Sequence, residues 1–200
     1  MSAAAEAVMT SFAFSVENGT RVRAILAKYP TGRQASAVLP LLDLAQRQCG
    51  GWLPQPALDH VAALLGLSPI KVYEVATFYT MFLTHPVGHH LVQLCRTTPC
   101  WLRGSDHLRQ AAEDELGIGL KETTADGSFT LVEVECLGAC VNAPMMQIND
   151  DFYEDLTPER LREILRALKR GERPASGPQT GRQTTAPAGG LTTLTERRGI

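Results

Sequence analysis

Two short cysteine pairs, Cys95-Arg-Thr-Thr-Pro-Cys100 and Cys136-Leu-Gly-Ala-Cys140, constrain this chain more than any other feature of its sequence. Thiols grouped in this way ligate metal or pair as disulfides, and either outcome requires the fold to bring two distant segments to one place. The spacing favours iron and sulfide over zinc. Structural zinc sites use C-x2-C knuckles around one tetrahedral ion, whereas a [2Fe–2S] rhomb needs two thiolates per iron and accepts the wider C-x4-C loop. On spacing alone, structural zinc, disulfides and unliganded thiols stay open. Loop closure assigns Cys95 with Cys100 to one iron and Cys136 with Cys140 to the other, because short loops bring neighbouring thiols together at small entropic cost. Cys49, alone before Gly50-Gly51, reads as a small residue near a helix end rather than a ligand.

The rest of the composition narrows the setting. With 200 residues, 44% hydrophobic and 20% charged, the chain can bury a core in one domain or two small ones. A net charge of −2 without a long basic block gives no footprint for nucleic acid or an anionic membrane surface. No apolar run approaches the length of a membrane span. The start, Met1 to Thr20, carries Glu6 and Glu17 and has no arginine before Arg21, so it reads neither as a secretory signal nor as a transit peptide. The expected home is a reducing bacterial cytoplasm, where thiolates persist and a metal site is favoured over disulfides.

Hydrophobic periodicity places helices first and an α/β layer second. Val22, Ile25, Leu26 and Tyr29, then Val38, Leu41, Leu42 and Ala45, then Leu58, Val61, Ala62 and Leu65 recur at helical spacing, with Pro40 early enough in the second helix to be tolerated. Gly66 stops the third helix and Ser68-Pro69 opens a fourth with a hydroxyl cap. That close helix pair resembles a helix-turn-helix, but Pro69 to Phe78 offers one lysine, one glutamate and no arginine for DNA. After Gly88 the pattern changes. His90 to Cys95 reads as a buried strand, Ser105 caps a helix that Gly117 ends, and Asp126-Gly127 turns into a strand from Phe129 to Glu135 that runs directly into Cys136. Met145 to Ile148 and Phe152-Tyr153 flank Asn149-Asp150-Asp151 as a hairpin. Thr157-Pro158-Glu159 then opens a helix with the core stripe Leu161, Ile164, Leu165 and Leu168, closed by Lys169, Arg170 and Gly171. Beyond Gly171 the composition is too polar to bury a core. That tail is either disordered or an extended strap that orders on a partner, with Leu191 and Leu194 as its apolar pair.

Around the cysteines, Pro99 restricts the backbone before Cys100, and Gly138 lets the second loop point amides at sulfur. Glu133 and Glu135 beside one loop, and Arg96 and Arg103 beside the other, are expected to bias a cluster's potential in opposite directions. His85, His89 and His90 lack the Cys-x-His pattern of a Rieske centre and read as a solvated loop; Met145 and Met146 read as packing. Gly117-Ile-Gly119 is only a fragment of a dinucleotide fingerprint, and no phosphate-binding glycine motif is present, so flavin or nicotinamide would belong to another subunit.

Four segments carry a family resemblance: Gly51-Trp-Leu53, Val75-Ala-Thr-Phe-Tyr79, Cys95 to Gly104 and Cys136 to Met145. In this order, over most of residues 17 to 170, the chain resembles the 24 kDa or E-subunit family of respiratory NADH–quinone oxidoreductase (complex I), built around a thioredoxin-like [2Fe–2S] ferredoxin. Its tail, from Gly177-Pro-Gln to Leu194, is similar to the extension of proteobacterial and mitochondrial members. The resemblance implies an α+β chain divided into a flexible N-terminus (1–16), a helical bundle (17–86), a thioredoxin-like α/β [2Fe–2S] domain (87–171) and an extended C-terminal tail (172–200). It implies Cys95, Cys100, Cys136 and Cys140 as ligands of one [2Fe–2S] cluster, off the main electron path, and gives Cys49 no ligand role. The implied partners are a flavin-binding subunit that holds FMN and NADH, and the large iron–sulfur subunit of the peripheral arm. The implied place is the cytoplasmic face of a bacterial inner membrane. Formate dehydrogenases and bidirectional hydrogenases carry similar small subunits. A zinc-stabilised interaction module and a DNA-binding regulator with a cluster sensor are the remaining alternatives.

Overall fold

The computed structural model describes residues 9–185 and forms two compact units, one ending at Val87 and one beginning at Gly88. The first unit holds α1 (Val16–Leu26), α2 (Val38–Gln48), α3 (Gln55–Leu65) and α4 (Pro69–Phe78). The periodic stripes become its core: Leu41, Leu42 and Ala45 of α2 pack with Leu58, Val61 and Ala62 of α3 and with Val72 and Ala76 of α4. Burial of each large aliphatic side chain contributes about 1.5–3 kcal/mol, which is what holds short helices that would be marginal alone. Gly66 ends α3 at φ +64, a conformation that favours a residue without Cβ. Cys49 caps the end of α2 and packs, half-buried, against this core.

Three local expectations change in this part of the chain or just after it. Ser68 occupies the N-cap of α4 with Pro69 in the first turn, but its hydroxyl makes no capping bond. Phe12 and Phe14, within the segment expected to be a flexible N-terminus, pack on the helical core and edge-on to His60. In the second unit the expected Ser105 cap is displaced. Gly104, at φ +89, takes the N-cap, and Ser105 is buried as the first helical residue.

The second unit is one six-stranded sheet in the order β2-β3-β1-β4-β5-β6. Its strands are β1 (His90–Cys95), β2 (Glu122–Thr123), β3 (Phe129–Val134), β4 (Met146–Ile148), β5 (Asp151–Glu154) and β6 (Gly177–Pro178), with α5 (Thr98–Leu102), α6 (Ser105–Leu116) and α7 (Pro158–Lys169) between them. Val92 and Leu94 of β1, Phe129 and Leu131 of β3, and Met146 and Ile148 of β4 alternate toward Leu108, Ala111 and Ala112 of α6 and toward Leu161, Ile164 and Leu165 of α7. Thr157 caps α7 by accepting from the Arg160 N–H, and Gly117 and Gly171 end α6 and the α7 turn with positive φ.

The decisive feature is the relation of β1 to β3. They are parallel and in register, His90 against Phe129 through Cys95 against Val134, with α5 and α6 as the crossover. Parallel strands finish on the same side of a sheet, so β1 delivers Cys95 and β3 delivers Cys136 to one edge. An antiparallel pairing would have sent the two loops to opposite ends. The β4 strand runs antiparallel to β1, with Leu94 against Met146, and so brings Met145 to that same edge.

Candidate metal centre

Both cysteine pairs lie at the end of this parallel pair. Cys95 closes β1; its N–H donates to Met145 O at 3.4 Å, and the N–H of Arg96 donates to Val134 O at 3.2 Å. The residues between Cys95 and Cys100, expected as a loop, enter a short helix instead: α5 starts at Thr98, with Pro99 in its first turn, where the missing N–H is not needed. This helix turns Cys100 inward. Cys95 and Cys100 are 2% and 1% exposed and pack with Ala139, Ala143 and Met145.

The second pair is more open. Cys136 is exposed and Cys140 half-buried, with their sulfur atoms 3.3 Å apart. Gly138, at φ +85, lets the chain reverse between them, and its N–H donates to Cys136 Sγ at 3.4 Å. Cys140 opens a three-residue 3-10 turn, Cys140–Asn142, beside α5.

A hydroxyl stands beside the first pair: Thr97 Oγ1 lies 3.4 Å from Cys95 Sγ. Nothing in the cysteine spacing singles Thr97 out; its only signal along the chain is a hydroxyl residue inside a ligand loop.

The thiols divide into one acidic and one weakly acidic member per pair. Burial pushes Cys95 up, but hydrogen bonds from the Thr97 hydroxyl and from the Leu137 and Thr97 amides outweigh it and hold the thiol below its ordinary range. Burial, then the bond to Cys95 and its charge, pushes Cys100 up to about 12. The Gly138 amide, helped by Cys140 and Thr97, lowers Cys136, whereas the bond to Cys136, burial and neighbouring sulfur charge raise Cys140. Within each pair one thiol is thus shifted down and its partner up, the pattern of crowded like charges. A cationic core is what lets all four ionise together.

That arrangement fits a [2Fe–2S] group by its donor chemistry: four soft sulfur donors standing two by two, with an amide and a hydroxyl already aimed at them. Among the described residues no three His, Cys, Asp or Glu side chains close around a single ion point.

Of the charges expected to bias the two loops separately, Arg96 and Glu133 meet. Arg96 reaches Glu133 at 3.8 Å and Arg109 reaches it at 3.7 Å, so opposite signs offset one another across β1 and β3. His85 and His89 are exposed. His90 opens β1, at the end away from Cys95, with its ring 5.0 Å from that of Phe129 and 4.6 Å from that of His89, so neither of these two is brought to the sulfur atoms. No helix among the described residues is long and apolar enough to cross a membrane. The apolar tail pair, Leu191 and Leu194, lies outside the described residues.

Residues 22–169 match the family model for thioredoxin-like [2Fe-2S] ferredoxin. The chain is 56% identical over 161 residues to the E subunit of the NADH-quinone oxidoreductase of Rickettsia conorii (strain ATCC VR-613 / Malish 7), covering 80% of this chain and 96% of that one. It is 54% identical over 187 residues to the mitochondrial NADH dehydrogenase [ubiquinone] flavoprotein 2 of Dictyostelium discoideum, covering 94% of this chain and 76% of that one. A crystal structure of an NAD+-reducing [NiFe]-hydrogenase in the H2-reduced state aligns with a TM-score of 0.59 at 21% identity, over 67% of this chain and 23% of that one, a likeness of fold alone.

Proposed function

We propose that this chain, which belongs to the thioredoxin-like [2Fe-2S] ferredoxin family, is the electron-transfer subunit of an NADH–quinone oxidoreductase and holds one [2Fe–2S] cluster on Cys95, Cys100, Cys136 and Cys140. The observation that carries this reading is the in-register parallel pairing of β1 and β3, which sets two thiol pairs at one sheet edge. The identity to the E subunit of the Rickettsia enzyme supports the choice of complex.

When bound, the cluster supplies reversible one-electron chemistry. The chain's own residues do the rest. Cys95 and Cys100 would hold one iron and Cys136 and Cys140 the other, each pair through its own short loop. The Thr97 hydroxyl and the Gly138 amide donate toward sulfur and so favour the more negative, reduced state. Ala139, Ala143 and Met145 keep water from the inner side.

On the outer side Trp101, Leu102 and Val141, next in sequence to Cys100 and Cys140, are exposed apolar residues. They suit the approach of a partner subunit that holds FMN and oxidises NADH, and electrons then pass between that flavin and this chain. A large iron–sulfur subunit of the same arm is the second partner. Attachment at the cytoplasmic face of a bacterial inner membrane comes through the assembled complex.

The test is anaerobic purification of the full chain, with iron and sulfide analysis and paramagnetic resonance after reduction, followed by mixing with the flavin subunit and NADH. The expected outcome is one reducible [2Fe–2S] cluster per chain that NADH reduces only when the flavin subunit is present. A colourless protein with a single zinc would end the reading.

A further inference from the structure

Residues after α7 do not leave the domain. Gly177 and Pro178 pair as β6 with Tyr153 and Glu154, and the Gln179 N–H donates to Glu154 O at 3.0 Å. The chain then crosses to the turn that begins at Cys140. Arg182 Nη2 donates to Val141 O at 2.7 Å, while its Nε and Nη2 donate to the Asp155 carboxylate at 2.7 and 2.8 Å. Asn142 Nδ2 donates to Gln183 O at 2.8 Å and to Glu154 Oε2 at 2.7 Å. Thr185 completes the lattice, its hydroxyl donating to Glu154 Oε1 at 3.1 Å and its N–H to Oε2 at 3.3 Å.

Two physical facts give this strap a purpose. Glu154 and Asn142 are 3% and 4% exposed, and buried polar groups of this kind are tolerated only when their atoms are satisfied. Thr185 donates twice to the Glu154 carboxylate, and a strap carbonyl accepts from the Asn142 amide. The turn itself is weak. Cys140–Asn142 is a single 3-10 turn held by the Asn142 N–H to Ala139 O and the Ala143 N–H to Cys140 O, and such turns have poor hydrogen-bond geometry. Gly138 precedes it in an open, exposed loop. The turn's other ties are the Asp155 N–H to Asn142 O at 2.8 Å and the burial of Ala139 and Ala143 on either side of it.

We propose that Arg182–Thr185 form a positioning strap for the Cys140 half of the metal centre, holding the carbonyl of Val141 and the side chain of Asn142 so that the Cys140 sulfur is kept in place. The inference rests on the cluster reading given above. It makes retention of the cluster, and the electronic symmetry of its two irons, depend on a segment far along the chain from every ligand.

The test uses the full chain loaded with its cluster. Arg182→Ala and Thr185→Val are compared with a truncation that ends at Ser176, and with Arg166→Ala as a control, since Arg166 makes an equally well-formed exposed pair with Glu115 elsewhere in the unit. Bleaching by an iron chelator and the resonance spectrum of the reduced cluster are read alongside circular dichroism. R182A is expected to bleach about tenfold faster, the equivalent of one charge-assisted hydrogen bond, with altered g-values and an unchanged dichroism spectrum. Arg182→Lys should recover part of the effect, because an ammonium can serve the carbonyl or the carboxylate but does not fork over both. Wild-type bleaching and an unchanged spectrum in both R182A and T185V would overturn the strap, whether or not the truncated chain folds. So would equal acceleration in R166A. A wild-type chain without a [2Fe–2S] spectrum would instead overturn the cluster reading itself.

Discussion

The loop of Cys95 and Cys100 and the loop of Cys136 and Cys140 offer the same donors and are held by opposite means. The first is supported from within: β1 runs straight into it, α5 turns Cys100 inward, and both sulfur atoms sit against Met145, Ala139 and Ala143. The second follows β3 through an exposed glycine turn; Ala139 and Ala143 anchor it in the core and the Asp155 N–H donates to Asn142 O, and it takes further support from residues 177–185, which arrive from beyond α7. A donor pair is therefore made rigid either by local helix and core or by a distant clamp. The two solutions fail differently when disturbed.

The largest expected effect comes from removing a ligand. Cys100→Ala and Cys136→Ala should each lower bound iron at least about tenfold, since even loss of a supporting residue around a metal costs that much. The buried-loop variant should retain less, because the exposed loop can shift to let solvent complete the site. Equal iron contents by elemental analysis would break the contrast.

Next comes packing. Met145→Ala, beside the buried pair, should destabilise by about 2–5 kcal/mol in urea unfolding, the cost of a core cavity. Val141→Ala, 74% exposed beside Cys140, should stay within about 0.5 kcal/mol. A large effect at Val141 would mean that the second loop is also held by local packing.

The glycines sharpen the comparison further. A Cβ on Gly138 meets nothing within 4 Å, so Gly138→Ala should cost only the strain of its positive φ, about 1–2 kcal/mol. A Cβ on Gly104 would lie 3.2 Å from His107 Nδ1, so Gly104→Ala, at the end of the buried loop, should cost more.

Smaller again is Thr97→Val, which deletes the hydroxyl 3.4 Å from Cys95 Sγ. A hydrogen bond of about 0.5–1.5 kcal/mol that favours the reduced state corresponds to a fall in midpoint potential on the order of 20–60 mV in a redox titration. An unchanged or higher potential would remove Thr97 from the site.

The smallest effect is at the turn that leads into β3. The Thr124 hydroxyl and the Ser128 N–H hold the Asp126 carboxyl down at about 2. A depressed carboxyl stabilises the fold above its ordinary titration range and loses that contribution as the pH falls through the folded value. The stability gap between wild type and Asp126→Ala should therefore be constant at neutral pH and close between about pH 4 and pH 2. Iron content at neutral pH should not change. A gap that survives at pH 2 would show that the turn is held by something other than the charged carboxylate.

Much of this molecule is legible along the chain, because helical period and glycine conformation are local properties. The stripe Leu41, Leu42, Ala45 and the stripe Leu161, Ile164, Leu165 are buried as their spacing requires, and Gly66, Gly117 and Gly171 end their helices with positive φ. Short or cooperative elements are not legible in this way. The five residues of α5 are too few to show a period, β2 and β6 are two-residue strands that exist only because a neighbour pairs with them, and Ser105 loses its capping role to the reversal at Gly104.

By itself the sequence determined the chemistry on offer, four soft donors in two tight pairs, and the local elements that would carry them, because spacing and period act over a few residues. Which donors meet, how deeply each pair is buried, and what clamps the exposed one were decided only by tertiary structure. Those outcomes depend on the parallel register of β1 with β3 and on the return of residues 177–185 to β5, contacts between residues far apart in the chain that no local pattern encodes.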